Sequence, residues 1–393
     1  MAELLSVNDA LQAVLDRVDP LPAESVALAE AAGRVLAGDA LALVDLPPFP
    51  SSAMDGFAVR AADTPGRLPV VERIAAGRPA SRPLAAGEAM GIATGGVVPD
   101  GADAVVPIER VTADDGQVEI GEPATAGVNV RPRGGDVAAG AVVVPAGVRL
   151  GPQQIGALAA AGVPDVRCAR RPRVVVLTTG TELRRPGEAL AAGEIYESNG
   201  PMLEALLGSA GADVRPLASV ADDEAAHRAS IERGLEHDVL VTSGGVSVGP
   251  HDLVRRIEAD LGVEEVFWGV SVKPGKPLAF GVRGRTLVFG LPGNPVSSLV
   301  SSVLFVLPAL RALQGEREPR PRYLNGTLAA SAKADPRRDE LVRARLTPDG
   351  ELEPLTGQES HMIVRAAEAN ALVYVPAGDS ELPAGAVVRY LTI

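Results

Sequence analysis

Near the N-terminus apolar residues recur at helix spacing: Leu11, Val14, Leu15 and Val18 follow Ser6 and Asn8, and a second such pattern runs from Val26 to Leu36. Residues 6 to 37 therefore read as helical. From about Leu41 to Gly140 short apolar runs such as Ala104-Val105-Val106 alternate with Pro/Gly turns, which predicts a small β-rich domain. Another helix is expected next, with Pro152 near its first turn and Gly162 near its end.

Between about Arg171 and Gly315 the pattern becomes strand, loop, helix. Val174-Val175-Val176-Leu177, Val239-Leu240-Val241 and Leu287-Val288-Phe289 are short aliphatic runs, as expected of parallel strands buried on both faces. Helical patterns lie around them at Pro201 to Ala210, Asp222 to Leu235, His251 to Leu261 and Val296 to Leu313. This order predicts a doubly wound three-layer α/β domain. After Pro319-Arg320-Pro321 short strands return between turns such as Asp349-Gly350 and Pro383-Ala384-Gly385, which suggests a terminal β-barrel or sandwich. No solenoid-type repeat is present.

Composition narrows the function classes. With 46% hydrophobic and 22% charged residues, the 393-residue chain has ample material for a core. The net charge of -13 opposes binding to nucleic acid or anionic membranes, so an anionic substrate needs a local basic pocket. Only three of the 37 cationic residues are lysine, and two of these, Lys273 and Lys276, share the pentapeptide Lys273-Pro274-Gly275-Lys276-Pro277. Cys168 is the single cysteine, which excludes an internal disulfide and a cysteine metal cage. Met1 to Leu5 carries no basic leader or long apolar run, so a cytoplasmic location is expected. The longest charge-free apolar stretch, Val296 to Leu310, is shorter than the ~18 residues of a membrane span and reads as a buried helix.

In an open α/β sheet, ligands bind beyond the carboxyl ends of the strands, where helix N-termini offer free N–H groups. Three strands here run into glycine-containing loops: Thr178-Thr179-Gly180-Thr181-Glu182, Thr242-Ser243-Gly244-Gly245-Val246-Ser247-Val248-Gly249, and Gly290-Leu291-Pro292-Gly293-Asn294-Pro295-Val296-Ser297. One such loop is ordinary turn chemistry; three in register point to a ligand site. No strand is followed by G-x-G-x-x-G, and Gly275-Lys276 precedes Pro277 rather than Ser or Thr, which disfavours dinucleotide and Walker-type sites. The two lysines offer compact charges suited to a tetrahedral oxyanion. Glu182, Asp222, Asp223 and Asp252 accompany these loops and suit Mg²⁺ bound through carboxylates and substrate phosphates. Asp222 serves equally as a helix N-cap, and Asp252, beside His251, as a partner of a helix dipole. Asp55 in Ser51-Ser52-Ala53-Met54-Asp55-Gly56-Phe57-Ala58 and Asp136 in Asn129-Val130-Arg131-Pro132-Arg133-Gly134-Gly135-Asp136 read, each alone, as turn residues. The four histidines lack metal-ligand spacing, and Phe267 and Trp268 read as core.

Six motifs, in this order along the chain, carry a resemblance: Ser52-Ala53-Met54-Asp55-Gly56-Phe57-Ala58, Ala93-Thr94-Gly95-Gly96 with Gly101-Ala102-Asp103-Ala104-Val105-Val106, Thr179-Gly180-Thr181-Glu182-Leu183, Ser243 to Gly249, Lys273 to Pro277, and Gly290 to Ser297. Together they resemble the molybdopterin molybdenumtransferase family, which includes the gephyrin E domain and its plant counterpart. The resemblance implies a helical part from residues 1–40 and 141–170, an inserted β domain over 41–140, an α/β domain over 171–318 and a C-terminal β-barrel over 319–393. It implies a homodimer with a cleft lined by both subunits, and a reaction that inserts molybdate into adenylylated molybdopterin with Mg²⁺ and releases AMP. Molybdopterin adenylyltransferase and apo-molybdoenzymes become the expected partners, with tungstate as the competing metal oxyanion.

Carried over by position, Lys273, Lys276 and Pro277 match the oxyanion loop and Ser297 a serine near it; Arg338 fits the family's Arg-x-x-apolar-x-Arg pattern in Arg338 to Arg343, and Ser360 the serine before His361, both as substrate-binding positions. Asp55, Asp136, Glu182, Asp222 or Asp223, and Asp252 match the functional carboxylates. Thr179, Gly180, Ser243, Gly244, Gly245, Ser247, Pro292, Gly293 and Asn294 become the substrate-binding loop residues. Thr181 stands where the family often has Asp, and Pro250-His251-Asp252-Leu253 replaces an acidic-Ala-Asp-Tyr run. A molybdopterin adenylyltransferase would account only for residues 171 to 315. A non-catalytic scaffold of the same fold is the other alternative, against which both lysines and all five carboxylate positions are retained.

Overall fold

The computed structural model describes residues 4–217, 224–245, 253–378 and 381–393. The chain forms two compact units, one of Ser25–Ala32 with Gly38–Arg167 and one of Met1–Glu24 with Gly33–Ala37 and Cys168–Ile393.

The first unit is built on a six-stranded sheet in the order Ala104–Pro107, Gly56–Val59, Ala89–Ile92, Gly66–Ile74, Gln117–Ile120, Val111–Asp114. Its period-2 alternation serves two cores: Phe57 and Val59 join Leu68, Val106 and Val118 on one side, while Ala58 joins Met90, Ile92 and Val105 on the other. Gly56 is fixed by its neighbour, because a Cβ there would lie 2.0 Å from the Val106 carbonyl oxygen. The expected helix after the insert is present as Pro152–Ala160.

The second unit holds the α/β sheet, ordered Asp213–Pro216, Arg173–Thr178, Val239–Ser243, Thr286–Leu291, Ala279–Arg283, Glu264–Trp268. The first four strands are parallel, and the last two add an antiparallel edge that periodicity did not reveal. Val174, Val176, Val239, Val241, Leu287 and Phe289 face one layer of helices, which contributes Leu11 and Val14, Leu203 and Leu207, and Val300 and Leu304. Val175, Leu177, Leu240 and Val288 face the other, built from Ile231, Leu235, Val254 and Ile257. The aliphatic runs are therefore buried on both faces, as a doubly wound fold requires. Phe267 is core, its ring 5.7 Å from Phe280, which in turn lies 4.9 Å from Phe289.

The N-terminal helix is Val7–Leu15, capped by the Ser6 hydroxyl, which accepts from the Asp9 N–H at 3.1 Å. It packs into the α/β core. The second expected helix, from Val26 to Leu36, does not form: the chain makes a strand at Ala23–Ala27 and one 3-10 turn at Leu28–Glu30. Its amides find distant partners instead, such as Leu28 N–H to the Pro164 carbonyl, and Gly33 turns the chain at φ 74. Non-local pairing overrides the local apolar spacing.

Pro295–Leu313 is one continuous helix with a π-helical stretch at Ser302–Val306. At 19 residues it is long and apolar enough to cross a membrane by composition alone, but 78% of that apolar window is buried inside the protein. The terminal strands Asp339–Leu346, Glu351–Pro354, Leu324–Leu328, Val387–Thr392 and Ala371–Val375 close through pairing of the last with the first, a barrel rather than a sandwich. Val272–Lys273 pairs in parallel with Asp339–Glu340 and ties the lysine loop to the barrel.

Candidate functional site

Thr178, Ser243 and Leu291 lie opposite one another in register, so three parallel strands end level. The loops that follow border one cavity of about 730 Å³, lined by Thr179, Gly180, Glu182, Ser243, Gly244, Gly245, Pro292, Gly293 and Asn294, with Pro277 beside them. Backbone bonds knit the loops together: Thr179 N–H donates to the Ser243 carbonyl (3.0 Å) and Gly244 N–H to that of Leu291 (3.1 Å). Gly244 sits at φ 97, where a Cβ would lie 2.7 Å from the Thr179 carbonyl oxygen. Gly244→Ala is therefore expected to destabilise the protein by about 2 kcal/mol, read as a lower urea midpoint. An unchanged midpoint would show that the loop adapts freely.

Asn199 opens the helix Asn199–Ser209 at this cavity and was not singled out from sequence. Its Nδ2 donates to Ser243 Oγ (2.9 Å) and to the Gly293 carbonyl (2.7 Å), joining the second and third loops. Ser243 Oγ also lies 3.2 Å from Ser298 Oγ, which donates to the Pro292 carbonyl at 2.6 Å. The Pro295–Leu313 helix starts at the same rim, so two helix N-termini meet there. Ile195 and Tyr196 form an apolar wall, held by pairing of Leu183–Arg184 with Ile195–Tyr196.

The lysine loop lies beside this cavity and contributes Pro277 to it; Lys273 and Lys276 are not among its lining residues. Lys273 Nζ is 3.2 and 3.3 Å from the two carboxylate oxygens of Glu340. Arg338 pairs with Asp335 at 3.3 Å. The Arg337 N–H, Arg338 and the charge of Lys273 hold the Asp335 carboxyl below the usual carboxylate range. Lys276 is exposed and makes no ion pair among the described residues. Ser297 is buried in the first turn of the Pro295–Leu313 helix. Ser360 Oγ accepts from Asn294 Nδ2 (2.9 Å), its carbonyl accepts from Val296 N–H (3.0 Å), and the adjacent His361 lines the cavity.

Arg343, 1% exposed, holds the loop that carries these two residues, and sequence reasoning assigned it no role. Its guanidinium donates to the carbonyls of Gly357 (2.5 Å), Met362 (3.3 Å) and Glu359 (3.4 Å) and to Gln358 Oε1 (3.4 Å).

Asp55 and Asp136 belong to the other unit, where their loops converge: Ala53 N–H donates to the Asn129 carbonyl, and Val130 pairs with Ser52. Asp55 Oδ1 accepts the Thr94 N–H at 2.7 Å, and this bond, with the Thr94 hydroxyl, holds the carboxyl below its ordinary range. Asp222, Asp223, Ser247, His251 and Asp252 lie outside the described residues. Among the described residues no group of three or more His, Cys, Asp or Glu is arranged to hold a metal ion.

Three family models match in succession: "MoeA N-terminal region (domain I and II)" over residues 5–162, "Probable molybdopterin binding domain" over 175–312, and "MoeA C-terminal region (domain IV)" over 325–393. The three glycine loops just described thus fall in a molybdopterin-binding type of α/β domain, while His361 on the cavity wall falls in the C-terminal match. The chain is 39% identical to molybdopterin molybdenumtransferase 2 of Mycobacterium tuberculosis, covering 92% of this chain and 93% of that one. It is 33% identical to molybdopterin molybdenumtransferase of Haemophilus influenzae over 98% of both. Two solved structures of the molybdopterin biosynthesis MoeA protein from Pyrococcus horikoshii superpose with TM-scores of 0.83 (31% identity, 99% of both chains) and 0.87 (28% identity, 100% of both). The chain belongs to the molybdopterin molybdenumtransferase family. Matches to the N-terminal and C-terminal regions disfavour the adenylyltransferase alternative, which accounted only for the middle of the chain.

Proposed function

We propose that this protein is a molybdopterin molybdenumtransferase that inserts molybdate into adenylylated molybdopterin and releases AMP. The observation that carries this reading is the cavity built from three level strand ends, in a chain whose full-length relatives bear that name. Loop amides of Gly180 and Gly293, with two helix N-termini, suit phosphate groups. Tyr196 and Ile195 offer the face on which a planar pterin stacks. The cations of the Lys273 loop and Arg338 suit a tetrahedral dianion.

Mg²⁺ belongs to this reading. Glu182 and Glu197 are hard oxygen donors on the cavity wall, and Mg²⁺ commonly binds through one or two carboxylates plus substrate phosphates, so this donor set fits. Held by these carboxylates, the ion would supply charge neutralisation for the substrate phosphates. Glu182→Gln is expected to raise the Mg²⁺ concentration for half-maximal AMP release by about tenfold; an unchanged titration removes Glu182 from the metal shell.

A cytoplasmic homodimer completes the proposal, with apo-molybdoenzymes and the adenylyltransferase as partners. Leu41, Leu43, Val44 and Val142 leave apolar surface exposed on the smaller unit, which favours self-association. The experiment combines purified protein with adenylylated molybdopterin, Mg²⁺ and molybdate, and follows AMP together with reconstitution of a cofactor-free molybdoenzyme. Molybdate-dependent AMP release with active cofactor supports the transferase. Tight binding without AMP release overturns it in favour of a scaffold.

A further inference from the structure

The cations assigned to the oxyanion are not equivalent. Lys273 faces both oxygens of Glu340, and Arg338 faces Asp335, whereas Lys276 has no ion-pair partner among the described residues. Burial is divided by sign: the Glu340 and Asp335 side chains are 10% and 14% exposed, those of Lys273 and Arg338 44% and 29%. The carboxylates therefore lie beneath and the cations above, toward solvent. Strand pairing sets the arrangement, since Lys273 is in register with Glu340 on the neighbouring strand. An anion arriving from solvent meets the cations without having to displace the carboxylates.

We propose that Glu340 and Asp335 are built-in counter-anions of the oxyanion site, which hold Lys273 and Arg338 in place when it is empty and keep its affinity for a tetrahedral dianion low. Two cations already neutralised from below present a weaker field to a dianion than two free ones, and the repulsion between dianion and carboxylate remains across the lysine. Such a site takes up its oxyanion reversibly and gives it up readily to a better ligand such as a dithiolene. The backbone, through the paired strands, positions Lys273, so the negative charge of Glu340 is separable from the geometry.

The inference rests on the oxyanion reading of the lysine loop, and the test separates the two. Molybdate binding is measured by calorimetry on the full-length protein, with sulfate as a second tetrahedral dianion, at low and moderate salt. Glu340→Gln, which keeps the shape and removes the charge, is expected to lower the molybdate Kd roughly tenfold and to steepen its salt dependence. Sulfate should tighten in parallel. Lys276→Ala serves as the control and should weaken both anions. If Lys276→Ala binds as the parent does, the oxyanion reading itself fails. If Lys276→Ala weakens binding while Glu340→Gln binds equally or less tightly than the parent, the counter-anion role is overturned and Glu340 is only a positioning residue. Asp335→Asn carries the same test should Glu340→Gln fold poorly, with the same expected direction.

Discussion

Lys276→Ala is expected to lower kcat/KM for molybdate-dependent AMP release by about 10²–10³-fold while leaving the fold intact. Lys273 is committed to Glu340 and Arg338 to Asp335, so of these three cations Lys276 is the one without an ion-pair partner among the described residues. Removing one preorganised donor from an anion site costs about 2.7–4 kcal/mol when charge develops there, which converts to that range of rate. The side chain is exposed, so its truncation leaves no cavity and no stranded partner, and stability should change by less than about 0.5 kcal/mol. Arginine at the same position keeps the charge but not the compact ammonium, and is expected to recover only part of the activity. AMP-release rates for Lys276→Ala within threefold of the parent would take this residue out of the oxyanion site.

The three parallel strands were legible because burial on both faces leaves a continuous aliphatic run, as in Val174 to Leu177, and the loops after them carry glycines that no other pattern explains. The antiparallel strands Glu264–Trp268 and Ala279–Arg283 were not: the first, at the sheet edge, mixes polar and apolar residues, and the second is a short apolar run broken by Gly281. The Val26 to Leu36 segment misled because a short strand followed by a 3-10 turn can reproduce helix spacing over a few residues, while the deciding partner at Pro164 is distant in sequence. The site divides in the same way. Loop residues Gly244 and Asn294 announce themselves locally through their motifs. Asn199 acts through Ser243 and Gly293, 44 and 94 residues away, and Glu340 through Lys273, 67 residues away; neither pairing leaves a local trace. Asp55 and Asp136 looked like unrelated turns until backbone bonds between Ala53 and Asn129 joined their loops.

Arg343 shows what such a hidden residue controls. Its guanidinium is buried in the barrel unit and satisfied by three backbone carbonyls and Gln358, whose Nε2 donates back to the carbonyls of Arg343 (2.9 Å) and Leu355 (2.8 Å). Burial pulls its pKa below the ordinary arginine value, but a guanidinium stays charged at neutral pH. Replacing a buried ionic group by an apolar one is often harmless when both partners are replaced. Here the acceptors are main-chain oxygens that no substitution removes. Arg343→Met should therefore strand the carbonyls of Gly357, Glu359 and Met362 and cost about 3–5 kcal/mol, seen as a lower urea midpoint. Lysine brings one ammonium to a set of acceptors that the planar fork spans, so Arg343→Lys should retain less than half of that stability. The loop from Gly357 to Met362 carries Ser360 and His361 to the cavity rim, and Ser360 receives both Asn294 Nδ2 and Val296 N–H. Loosening it should therefore raise KM for the adenylylated pterin in Arg343→Lys at temperatures where the protein is still folded. A parent-like KM in that variant, with the stability loss present, would confine Arg343 to holding the barrel and detach the rim loop from substrate binding.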